Sequence, residues 1–263
     1  MAENKGRVLY NNVLRDYSSI SYSGTGVAEK GPVNAVDWRD FSLFEVDASS
    51  TTILDFTIQT TSVIDAVSLY VTNYTGTGSN SIELQCESSA SVFTSLVTTS
   101  SAGGKLTFDT FSEVTITAGL RIRFIFTTGT ESLNIRQLVV GKHLEFNRGQ
   151  WSGVTPPNFT SGNVSENIIS VNGSIIARNN RYLERSATID MNYLNNAWMR
   201  TYWEPFQLHA TKYPFIYQWS PSEFPNEVAF AAASKVNPPV QDSINFMSVS
   251  MPLRCLIADT NVL

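Results

Sequence analysis

Two histidines, His143 and His209, are the only imidazoles in 263 residues. A nucleophile needs a matched base beside a Ser or Cys, so they are the first places to look for catalysis. No G-x-S-x-G occurs, and each histidine has a packing or capping role open to it. The two cysteines, Cys86 and Cys255, fall one in each half of the chain. A disulfide framework would use more of them and set them closer together, so both are expected to be buried thiols. Metal sites want clustered ligands. Asp37, Asp40, Glu45 and Asp47 are the only group a loop would gather around calcium, and solvated carboxylates are expected there. Ser23-Gly24-Thr25-Gly26 lacks the G-x-G-x-x-G spacing of a dinucleotide loop. No pair of carboxylates stands out for glycoside hydrolysis. The chain is therefore expected to be non-enzymatic, without cofactor or metal.

Aromatic side chains on loops are the remaining chemistry, because sugars stack on them. Tyr17, Tyr22, Trp38 and Tyr74, with Asn73 as polar partner, would form such a platform. The glycan-contacting set is read as Tyr74, Asn73, Tyr22 and Trp38, although for Trp38 core packing is the plainer role.

The elements that must position these groups are mostly strands. Only 16% of the residues are charged, and Ser, Thr and Asn supply the polarity, as on β surfaces. Leu54 to Ile58, Val63 to Tyr74, Ile82 to Cys86, Leu120 to Phe126 and Ile135 to Val140 alternate with a period of two. Val92 to Val97, Leu106 to Phe108 and Val114 to Ile116 are weaker strands. Thr75 to Asn80 and Ala102 to Lys105 read as turns. About eight strands with no helix read as a jelly-roll β-sandwich.

Leu133 to Trp151 is the hinge of the reading. Its first part is a half-buried strand interrupted at Arg136-Gln137, and its second part loses the alternation. Beyond it the composition shifts to Asn, Pro, Trp and Tyr. Asn172-Gly173 marks a hairpin, Ala187 to Tyr193 a strand, and Asn195-Asn196 a helix N-cap. Trp198, Met199, Tyr202, Trp203 and Phe206 follow as a helical stripe. Trp198, Tyr202 and Phe206 share one face of it, so Trp198 is expected to be mostly buried against the sheet. Pro205 predicts a kink or a restart. Pro214 to Trp219, Glu227 to Ala231 and Asn245 to Leu256 close a sheet or small sandwich with one helix laid on it. The divisions expected are an arm over 1–32, a jelly roll over 33–141, a linker over 142–163 and a β-rich domain over 164–263.

The net charge of -5 and a pI near 5.1, without a Lys/Arg cluster, argue against specific nucleic-acid binding. The N-terminus shows no apolar signal region, and no run approaches a membrane helix, so neither secretion nor membrane insertion is expected. N-x-[ST] sequons at Asn73, Asn158, Asn163 and Asn172 are chance products of the composition.

The segment Trp198-Met-Arg-Thr-Tyr-Trp-Glu-Pro-Phe-Gln-Leu-His209-Ala, then Pro214-Phe-Ile-Tyr-Gln-Trp219, then Pro225-Asn-Glu-Val-Ala229, resembles structural proteins of the tailed-bacteriophage tail tip, in the distal-tail or baseplate-hub class. The clear resemblance covers Val164 to Leu256. The first half looks like the galactose-binding-like jelly rolls such proteins often carry. The resemblance implies a mainly β chain, with a second β-sandwich-type domain of tail-tube or hub kind carrying one helix. It also implies a homo-oligomeric ring, hexamer or trimer, joining the tail tube to tail-tip hub, fibre and host-recognition proteins. Such a chain would be assembled in the host bacterial cytoplasm and reside in the virion. The alternative is a glycan-binding adhesin module for host-surface recognition, with a host-surface glycan as partner.

Overall fold

A computed structural model of the protein describes residues 5–24, 28–39, 42–71, 81–100, 106–129, 132–149, 156–157, 161–172 and 174–256. In chain order the strands begin with β1 (Arg7–Leu9), β2 (Tyr17–Tyr22), β3 (Phe44–Val46), β4 (Thr51–Ile58) and β5 (Ser62–Val71). Next come β6 (Ser81–Ser89), β7 (Val92–Ser100), β8 (Asp109–Ile116), β9 (Arg121–Thr127) and β10 (Leu133–Gly141). The second half supplies β11 (Leu144–Glu145), β12 (Ser161–Ile169), β13 (Ile175–Asn195), β14 (Phe215–Gln218), β15 (Val228–Ala233), β16 (Val240–Ser243) and β17 (Phe246–Leu256).

The chain is mainly β. Its first half is a jelly-roll sandwich of a four-stranded sheet, β3-β10-β5-β8, on a five-stranded one, β2-β4-β9-β6-β7. The alternation dictates which side chains meet between them. Leu54, Phe56 and Ile58 of β4, Ile122, Phe124 and Phe126 of β9, and Ile82, Leu84 and Cys86 of β6 all point inward. They pack on Phe44, Val67, Leu69, Ile135, Leu138 and Val140 of the facing sheet. Each such side chain contributes roughly 1.5–3 kcal/mol by leaving water.

The interruption at Arg136-Gln137 is a β-bulge. Ile135 pairs with Val71 and Gln137 with Tyr70, which leaves Arg136 as the extra residue. The bulge lets Leu133 and Ile135, then Leu138 and Val140, all face one core although their parities differ.

The second half builds an eight-stranded sheet, β11-β1-β14-β15-β17-β13-β12, with β16 paired to β17. Its middle strands are buried on both faces. Phe215 and Tyr217 of β14 and Ala229 and Ala231 of β15 pack under the helix. Ile216, Val228 and Phe230 face the outer side of the four-stranded sheet, where Ala66, Tyr70 and Val139 meet them. The molecule is thus stacked as five-stranded sheet, four-stranded sheet, eight-stranded sheet and helix, with a core at each interface.

Three expected divisions are corrected. Residues 1–32 are not one arm, because β1 is a strand of the second sheet, antiparallel to β11 and β14. β2 belongs to the sandwich through β4, so the jelly roll starts before residue 33. The expected linker 142–163 contains β11 and the start of β12, both of them sheet strands. The physical reason is common to all three: a short segment that joins an existing sheet satisfies its backbone N–H and C=O groups there. The strand expected over Ala187 to Tyr193 is part of a longer one, since β13 runs unbroken from Ile175 to Asn195. It pairs first with β12 and then, from Arg185 on, with β17.

The helix begins as expected, with the Asn195 side chain accepting from the Ala197 amide at 2.8 Å. Asn196–Trp198 is α-helical, Met199–Trp203 is a π-helical turn and Glu204–Ala210 is α-helical again. Pro205 sits in the first turn of that restart, where its missing N–H costs least. The helix face that enters the core is Met199, Trp203, Phe206 and Ala210, at i, i+4, i+7 and i+11. Trp198 is only half-buried and Tyr202 is 50% exposed. Of the expected Trp198, Tyr202 and Phe206 seal, Phe206 lies in the core and Trp198 packs against its margin, while Tyr202 is corrected to the exposed side and the deeper contacts come from the neighbouring face. Both faces have helical spacing, and bulk alone does not choose between them.

A candidate binding cleft between the sandwich and the helix

Where the chain passes between its two halves it leaves a cleft of about 530 Å³. Three segments line it. Tyr10 and Asn11 follow β1, Lys142 to Glu145 follow β10, and Trp198, Thr201 and Tyr202 come from the helix.

The first two segments cross at close range. Asn12 is buried at the crossing, donating from Nδ2 to the Leu138 carbonyl at 2.8 Å. Its Oδ1 accepts from the amides of Val140, at 3.1 Å, and Leu14, at 3.2 Å. One side chain thus completes the end of β10 and caps a 3-10 turn, Val13–Arg15. This holds Tyr10 and Asn11 at the rim.

His143 forms the polar floor. Its backbone N–H donates to Asp65 Oδ1 at 2.8 Å, and Nδ1 lies 2.9 Å from the same oxygen. The carboxylate orients the ring through Nδ1 and leaves Nε2 as its other polar atom. Phe108 meets the ring edge-on at 6.3 Å. Lys142 Nζ stands 2.7 Å from Glu113 Oε2, and that hydrogen bond raises the lysine pKa. Glu145 lies 3.8 Å from Lys5 Nζ.

The apolar wall is the face of the helix that the core does not take. The rings of Trp198 and Tyr202 lie 6.1 Å apart at 36°, and Trp198 leans on buried Trp203 at 6.5 Å. Tyr10 packs against Phe206 and His209, each at 5.4 Å. Burial pushes its phenol pKa up.

The residues expected to hold a glycan are placed otherwise. Trp38 is 5% exposed and stacks on Phe230 at 6.1 Å, between the sandwich and the second sheet. It cannot reach a sugar; its place in the binding set is corrected to core packing. Tyr22 lies edge-on to Phe44 at 5.1 Å and packs against the sandwich core. Burial raises its pKa. Tyr17 packs edge-on to Phe56. Tyr22 and Trp38 therefore lie on opposite sides of the four-stranded sheet. Asn73 and Tyr74 fall outside the described residues.

Two of the carboxylates weighed for calcium have partners of their own. Asp37 accepts from Ser42 and the Arg39 amide, and Glu45 pairs with Lys30. Asp40 is outside the described residues, among which no metal-ligating cluster forms. His209 Nε2 donates to the Pro214 carbonyl, 3.0 Å away, and burial lowers its pKa. Cys86 and Cys255 are buried free thiols, and burial pushes Cys255 up to about 12.

No family model and no curated relative matches this sequence. Among solved structures, the chain is similar to chitosan-binding module 1 of a chitosanase/glucanase from Paenibacillus sp. IK-5, at 15% identity and a TM-score of 0.41. That match covers 49% of this chain and 98% of the module. The CBM32-1 and CBM32-2 domains of Clostridium perfringens ZmpB match at 14% identity and a TM-score of 0.41, over 49% of this chain and 35% of theirs. An alpha-L-fucosidase from Bacteroides thetaiotaomicron matches at 15% and 0.43, over 50% of this chain and 28% of the enzyme. These likenesses span about half of the chain, and no ligand is taken from them. The expected structural role in a tail tip is corrected, the neighbours found being named as carbohydrate-binding modules and a fucosidase.

Proposed function

We propose that the chain is a glycan-binding module and that the junction cleft is its site. The observation that carries this reading is the Trp198–Tyr202 pair, in which half-exposed Tyr202 lies beside partly buried Trp198 on a helix whose neighbouring face is fully packed. A sugar presents an apolar C–H face and a hydroxyl edge. The cleft offers an aromatic wall for the first, and Asn11, His143 and Thr201 for the second. Its volume lies within the range of small-ligand pockets, roughly 300–1,000 Å³.

The reading is one of binding without turnover, in keeping with recognition of a surface polysaccharide. Glycan-array screening of the wild-type chain beside Tyr202→Ala tests it. Tyr202 is exposed, so its removal leaves the fold intact. The expected result is a set of array signals that the variant loses. Uniformly silent arrays for the wild type would end the proposal.

A further inference from the structure

We infer that the cleft selects uncharged glycans and turns away both amino sugars and acidic sugars. This rests on the glycan reading of the same cleft. The two charged side chains that line the cleft, Lys142 and Glu145, each meet an opposite charge. Lys142 meets Glu113 at 2.7 Å, Lys5 meets Glu145 at 3.8 Å, and Asp65 meets the backbone N–H and Nδ1 of His143. Arg7, held over the Phe108 ring at 4.5 Å, lies close enough to feel Asp65 and Glu145 as well. It also feels Asp109, which takes the Thr99 hydroxyl at 2.7 Å. Lys142 and Lys5 are thus matched by Glu113 and Glu145, and Arg7 lies among Asp65, Asp109 and Glu145.

A ligand ammonium could bind only by drawing Glu113 or Glu145 from its lysine, and a ligand carboxylate only by drawing Lys142 from Glu113. Either exchange gives up one ion pair for another and desolvates the incoming charge. A neutral sugar disturbs none of them. Its hydroxyls use the uncharged groups, namely the Asn11 amide, the Thr201 hydroxyl and His143 Nε2, and its ring stacks on Trp198 and Tyr202. Selectivity of this kind is a difference of affinities set by what the wrong ligand must break.

Calorimetric titration of the full chain with three sets of probes tests the inference. The neutral set is cellotriose, laminaritriose, maltotriose and N-acetylated chitotriose; the cationic probe is chitotriose and the anionic one trigalacturonate. At least one neutral trisaccharide is expected to bind about tenfold more tightly than either charged one. Its affinity should change less than about twofold between roughly 50 and 500 mM NaCl, because no net charge is exchanged. Lys142→Met, which frees Glu113, should raise chitotriose affinity about threefold or more. Chitotriose or trigalacturonate binding tightest, with strong salt dependence and loss in Tyr202→Ala, would overturn the selectivity and leave the glycan reading standing. No binding by any probe on a wild type that is positive on arrays would overturn the selectivity if the array ligand is charged. Silence on probes and arrays alike would overturn both.

Discussion

Gly141 passes the Asn11 carbonyl so closely that a Cβ there would stand 1.9 Å from the oxygen. The contact is backbone against backbone, so no side chain can swing away to make room. At this point the two crossings between the halves of the molecule touch, and the cleft's rim is set by it.

Gly141→Ala should therefore destabilise the chain by about 3 kcal/mol or more, at the upper end of overpacking costs. Denaturant unfolding monitored by circular dichroism measures it. A variant of wild-type stability would show that the crossing is looser than described.

Asn12→Ala should also be costly, by about 2–4 kcal/mol, because it strands the Leu138 carbonyl and the Val140 amide in a buried place. Asn12→Asp keeps the acceptor for Val140 and Leu14 but sets a carboxylate oxygen against the Leu138 carbonyl in a buried place, so it should be at least as costly. Equal stability of all three proteins would contradict the role given to this side chain.

The two tryptophans that open and close the π-turn should behave differently. Trp203 is 1% exposed, and Trp203→Ala should cost about 3–5 kcal/mol. Trp198→Ala removes a half-buried ring and should cost less than about 2 kcal/mol while abolishing glycan binding. Thermal melts and binding on the same preparations separate the two effects.

Acid stability should depend on Glu87. Arg121 donates to both its oxygens, from Nε at 3.0 Å and Nη2 at 2.9 Å, and its carboxyl is held down to about 2 from the usual 4.5. A depressed carboxyl contributes stability above its unfolded pKa and loses it as pH falls through the folded one. The loss should thus run from about 4.5 down to about 2. Because the cluster lies on the sheet's outer face, with Arg121 30% exposed, solvent screening reduces the contribution to on the order of 1–2 kcal/mol. Glu87→Gln should flatten the acid limb of stability against pH, and an unchanged limb would refute this origin.

Much of the fold was legible because period-two alternation is a local signal. β4, β6, β9 and β10 could be read from it, and the Arg136-Gln137 break marked the bulge without revealing it. Asn195 announced the helix by its capping chemistry. β1 was not legible as a strand of the second sheet, because three residues carry no address and their partner β14 lies more than 200 positions away. The cleft was legible only in pieces. His143 was weighed as a catalytic base and Trp198 as core, since their meeting depends on a chain crossing. Met199, Trp203, Phe206 and Ala210 formed an equally regular stripe; reading it beside Pro205, which favours a distorted turn just before it, was the signal that could have freed Trp198 and Tyr202 for a surface role.

The central claim, that the junction cleft holds the sugar, is tested most directly by titrating an array-selected oligosaccharide into wild-type, Trp198→Ala and Tyr202→Ala chains. The account predicts that each substitution weakens binding about tenfold or more, as loss of an aromatic contact does in other ligand sites, while both variants melt cooperatively. Wild-type affinity in both variants would contradict it and place the sugar elsewhere on the molecule.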